Sequence, residues 1–199
     1  MRRKTVLAVA FGLLFGMVAC EGEATTTSQP DSGSPFLLTA SIQDIMVSEI
    51  DPAADYLWES IGTVVTPEGT EERRPRTDEE WQAARNRAVI LTEATNLLMM
   101  EGRLVAEEGK ELEDADVPGI LTAEQIESAL DTNRGAFIAF ARALHDVGAA
   151  TIRAIDARDV DAMMQAGAEM DGVCEGCHIQ FWYPNQVIPD FPSDFPSGS

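Results

Sequence analysis

The sequence predicts an all-α fold, an antiparallel four-helix bundle, on three observations. Four stretches place apolar residues three and four apart, the period of a helix with one buried face. Two of these stretches open with a capping box, and no run sustains the period-two alternation of a strand. No internal repeat is visible, which removes solenoid architectures. The stretches lie within one span of a size that builds a single core, so one folded domain is expected over residues 41–183.

Helix one is predicted from Ser41 to about Val65, with Ile42, Ile45, Met46, Ile50, Ala53, Leu57, Ile61 and Val64 as its stripe and a kink at Pro52. Pro67 to Pro75 reads as a loop. The capping box Thr77-Asp78-Glu79-Glu80 starts helix two, which runs to about Gly102 and turns Trp81, Ala84, Ala88, Leu91, Thr95 and Leu98 inward. Gly102 to Leu121 is an acidic connection with a Pro118-Gly119 turn and room for a short helical piece. A second box, Thr122-Ala123-Glu124-Gln125, opens helix three through Ile126, Leu130, Phe137, Phe140, Leu144, Val147, Thr151 and Ile155. Asp159 begins helix four, with Val160, Met163, Met164, Gly167, Met170 and Val173. Residues 184–199 read as an irregular proline-rich tail, with Phe181, Trp182, Tyr183, Phe191 and Phe195 either packing onto the bundle or shielding a bound group.

Helix four delivers Cys174-Glu175-Gly176-Cys177-His178. C-x-x-C-H is the spacing of c-type haem attachment: each thiol adds to one vinyl group of the porphyrin, and the adjacent imidazole reaches the iron. Three other readings of the cysteines stay open. A thioredoxin-like redox pair opens a helix after a strand, and no strand precedes Cys174. A zinc site needs a fourth ligand, for which only Cys20 and His145 remain. A plain disulfide leaves His178 without a role.

Residues 1–19 read as a secretory signal, a basic start at Arg2, Arg3 and Lys4 followed by the apolar stretch Thr5 to Val18. Met17-Val18-Ala19-Cys20 resembles a bacterial lipobox, in which Cys20 is lipidated after cleavage; the alternative is ordinary cleavage near Ala19, leaving Cys20 a free thiol. Residues 20–40 are expected to be a flexible tether. The expected location is the periplasmic side of a bacterial envelope membrane, lipid-anchored or, without lipidation, soluble.

Removing residues 1–19 takes three of the 14 basic residues and none of the 34 acidic ones, leaving 11 against 34 and a formal charge of −23. This excludes nucleic acid and bare anionic lipid as partners and fits a redox partner with a basic docking patch, or solubility alone. Contact with a membrane is expected only through the lipid anchor. Paired acids such as Glu79-Glu80 and Glu107-Glu108 read as solvated faces, with no second catalytic constellation.

Four helices with C-x-x-C-H on the last resemble the class II c-type cytochromes, the cytochrome c-prime and cytochrome c-556 family, over roughly Ser41 to Tyr183. The resemblance implies one covalent haem c within one end of the bundle, held by Cys174, Cys177 and His178. Phe181 matches the aromatic that follows the histidine in the family, whereas Trp182 stands where an arginine is frequent. Low-spin members place a methionine ligand in helix one within a motif resembling Arg-Gln-x-x-Met. Ile42-Gln43-Asp44-Ile45-Met46 keeps the glutamine and methionine, making Met46 the candidate sixth ligand; ordinary core packing is its other reading. Met99 is a weaker candidate, and Met100, Met163, Met164 and Met170 read as core or surface. His145 reads as a structural histidine. Arg85 and Arg87 are the candidates for haem propionate partners. A homodimer is compatible with the resemblance.

The expected function is a one-electron carrier with His/Met ligation, not an enzyme. The alternative is a five-coordinate, cytochrome c-prime-like binder or sensor of small gases such as NO and CO. A haemless secreted interaction domain with a Cys174–Cys177 disulfide is a third reading.

Overall fold

The structure, a computed structural model, describes residues 35–113 and 115–186. The expected signal segment, Cys20, most of the expected tether and residues 187–199, with Phe191 and Phe195, lie outside the described residues.

The chain is mostly helical, with one small antiparallel hairpin. Helix α1 (Ile42–Ile45) passes into a π-helical turn (Met46–Ile50) and then α2 (Asp51–Glu59). Strands β1 (Gly62–Thr66) and β2 (Gly69–Arg73) follow. Helices α3 (Asp78–Leu98), α4 (Ala123–Thr132), α5 (Arg134–Ala157) and α6 (Val160–Phe181) complete the described fold. Among the described residues no helix is long and apolar enough to cross a membrane.

Three expectations are corrected. Helix one ends at Glu59 rather than near Val65, and the expected loop is the second half of a hairpin paired from Gly62↔Arg73 to Thr66↔Gly69 around Pro67-Glu68. Thr63, Val64, Val65 and Thr66 are β-branched, which suits extended backbone. Every residue of β2 is exposed and Val65 is 78% exposed, so the hairpin buries no face and writes no alternating apolar pattern. The kink expected at Pro52 is instead the π turn just before it, where the Asp51 N–H donates to the Met46 carbonyl. Pro52 then sits in the first turn of α2, where its missing N–H costs little. Helix three is two helices, divided at Asn133 (φ −122°, ψ 36°), where the run Asp131-Thr132-Asn133 prefers local side-chain bonding over helix.

All the capping expectations are met, and Ser41 with Asp44 adds one more box at the start of α1. Asp159 caps α6 through its carboxylate and the Ala162 N–H. Helix α5 packs on both α3 and α6, and α2 on α3. At Gly148 the first of these contacts is close enough that a Cβ would stand 2.3 Å from Thr92 Oγ1. The core is filled by Leu91, Ile126, Phe137, Met163, Met170 and Phe181, each at most 2% exposed. The acidic connection between α3 and α4 carries no helix among its described residues, yet buries Val105 and Leu112.

Candidate functional site

At about 100° of rotation per residue, Cys174, Cys177 and His178 fall within roughly 100° of one face of α6. All three are half-buried and line one cavity of about 350 Å³, in the range of ligand pockets, roughly 300–1,000 Å³. The opposite wall is built by Met46 and Ile50 of the π turn and by Asp51, Ala54, Asp55 and Trp58 of α2. Leu98 of α3 and Phe137, Phe140, Ala141 and Leu144 of α5 close the apolar floor. Gly176 admits Phe140 against the motif, since a Cβ there would lie 3.1 Å from the ring.

Both cysteines are free thiols. Burial, with smaller contributions from Asp51 and Asp171, pushes the Cys174 thiol up to about 11. Burial and the neighbouring Cys174 push Cys177 up to about 12. Desolvation also raises the Asp51 carboxyl, against an opposing pull from His178 and with repulsion from Asp55 and Glu113 adding to it. Carboxylates Asp51, Asp55, Asp171 and Glu175 rim the cavity, and no Lys or Arg is among its lining residues.

A second cavity of about 300 Å³ is lined by Gln43, Val47, Glu113, Ile120, Trp182 and Tyr183 and shares Met46, Asp51 and His178 with the first. Tyr183 places its ring centroid 5.8 Å from that of His178 and donates its hydroxyl to Glu175 Oε2 at 2.7 Å. Burial and that carboxylate raise its phenol well above the usual range, so it stays a neutral donor. Phe181 turns inward, edge-on to Phe137 and Phe140 at 5.9 and 6.3 Å.

The other candidates lie elsewhere. Met163 and Met170 are core, Met164 is 49% exposed, and neither Met99, Met100 nor His145 lines either cavity. Arg85 and Arg87 line neither cavity: Arg85 is bonded to Asp156 at 2.8 Å and Arg87 lies over the Tyr56 ring at 5.6 Å. Sequence reasoning missed Asp51, Asp55 and Trp58, whose spacing of four and three marks one helical face, the same face as Met46. It also missed that the Trp58 indole N–H donates to the Gly167 carbonyl at 3.0 Å.

The donor set suits a haem. Two free thiols and an imidazole share an apolar, aromatic-walled cavity with a thioether from another segment of the chain. Among the described residues no group of three or more His, Cys, Asp or Glu is placed to hold a bare metal ion. Comparison with family models, curated proteins and solved structures returns no match for this chain.

Proposed function

We propose that this chain is a periplasmic c-type cytochrome of the class II kind, a one-electron carrier on a four-helix-bundle scaffold whose arms are the α1–α2 segment, α3, α4–α5 and α6. The observation that carries the reading is the meeting of Met46 with Cys174, Cys177 and His178 on one apolar cavity. When bound, the haem supplies a reversible ferric–ferrous couple. Cys174 and Cys177 would hold it through thioethers, and His178 of α6 would supply the imidazole ligand. Met46 of the π turn would supply a soft thioether donor, which favours the ferrous state. Leu98, Phe137, Phe140 and Leu144 keep water from the couple. The carboxylate rim draws a cationic partner to the cavity edge by complementary charge. Lipidated Cys20 is the proposed anchor to the periplasmic face of the membrane.

The test is an absorption spectrum of mature protein made with haem-attachment machinery, in ferric, ferrous and carbon-monoxide-treated forms. The expected result is a low-spin spectrum indifferent to the gas, and gas uptake once Met46→Ala frees the sixth position. A wild-type ferrous form that binds carbon monoxide moves the reading to a five-coordinate gas binder. No haem absorbance at all overturns it.

A further inference from the structure

Met46 stands near the start of a helical run that extends without a break from Ile42 to Glu59, at the point where α1 passes into the π turn. The first N–H groups of the run have no partners within the helix, as at any helix start. They are met from outside: Ile42 N–H donates to the Leu104 carbonyl at 2.8 Å and Gln43 N–H to the Val105 carbonyl at 2.9 Å. The Gln43 side chain extends the attachment. Its Nε2 donates to the Glu111 carbonyl at 3.2 Å, and its Oε1 accepts the Glu113 N–H at 3.0 Å. Four hydrogen bonds thus hang the Met46 segment on the stretch 104–113.

That stretch is itself fixed. Val105 is fully buried and its N–H donates to Glu127 Oε1 of α4 at 3.2 Å, while Leu112 is 6% exposed. Gln43 and Met46 are three residues apart and line the second cavity together, so the strapped face of the segment is also the face that presents the thioether beside His178. Met46 sits where the backbone widens into the π turn, a departure from regular helix that is enriched at functional sites. The Met46 N–H bonds back to the Ile42 and Gln43 carbonyls, and the strap adds a second attachment from outside the helix.

We infer that Gln43 is a positioning residue for Met46, acting through the clamp its amide makes on the backbone of residues 111 and 113. The inference rests on the proposed His178/Met46 ligation and deepens it: the thioether would be held toward the iron by a contact with the acidic connection as well as by its own helix.

The experiment compares haem-loaded wild type, Gln43→Ala and Gln43→Glu. The readouts are the far-red thioether-to-ferric-iron charge-transfer band, the reduction potential and carbon monoxide uptake by the ferrous form, with circular dichroism as the check on helix content. Losing both side-chain bonds is expected to raise the gas-reactive fraction roughly tenfold, to weaken the far-red band and to lower the potential, with helix content kept. Gln43→Glu keeps an acceptor for the Glu113 N–H and loses the donor, so an intermediate change is expected, and it decides the matter if the alanine variant does not fold. Both variants matching a low-spin wild type in band, potential and gas response overturn the inference and leave the ligation standing. A wild type that itself takes up the gas overturns both.

Discussion

The indole N–H of Trp58 donates to the carbonyl oxygen of Gly167 at 3.0 Å, tying the segment that carries Met46 to the helix that carries the C-x-x-C-H motif. Gly167 permits the approach, since a Cβ there would stand 3.3 Å from Trp58 Cδ1. The bond therefore braces two walls of one cavity against each other.

Trp58→Phe keeps an aromatic wall and removes the donor. One neutral hydrogen bond lost, with imperfect refilling of the indole's space, is expected to lower stability by about 1–2 kcal/mol. A urea titration followed by circular dichroism measures it. A midpoint equal to that of the wild type shows that the bond contributes nothing.

How far the site was legible follows from which signals are local. C-x-x-C-H needs only helical spacing to put three groups on one face, and Thr77 and Thr122 needed only their own side chains to mark helix starts. Met46 was legible through its motif, and the structure sets it on the same cavity. The hairpin was not legible because a sheet exposed on β2 leaves no apolar code. Nor was the strap on Gln43, whose partners lie 68 and 70 residues away. The directions of Arg85 and Arg87 depended on Asp156 and Tyr56, partners that periodicity does not name.

The start of the Met46 segment responds to acid in a defined direction. Asp44 accepts the Ser41 N–H at 2.9 Å and the Ser41 hydroxyl at 2.7 Å, while Lys110 stands 3.7 Å away. The Ser41 bonds first, then Lys110, hold its carboxyl below the ordinary 3.8. A carboxyl depressed by folding contributes stability that is present above its unfolded pKa and lost as pH falls through the folded one. The advantage of wild type over Asp44→Asn in urea midpoint is thus expected to hold at pH 6 and to close below pH 3.8. A difference that does not change with pH assigns the carboxylate no role in capping.

The two thiols carry the opposite sign. Folding raises Cys174 from 9.0 to about 11 and Cys177 from 9.0 to about 12, chiefly by burial. The fold thus favours the protonated thiols, a contribution whole below pH 9 and lost as pH rises through about 11 to 12. The rise at Cys174 alone cuts its thiolate fraction at neutral pH about 100-fold. The thiolate is the nucleophile, so haem-free protein that keeps its helices should alkylate about 100-fold more slowly than the same chain in urea. The gap should narrow as pH approaches 11. On the proposed haem reading the same burial bears on assembly: both sulfurs would have to meet the porphyrin before α6 closes on Phe140 and the π turn. Haem attachment to the folded, haem-free chain is therefore expected to be slower than to the unfolded chain, by mass analysis of the product over time. Equal rates of alkylation in folded and unfolded chains would place the motif at an open surface and remove the argument for an early attachment.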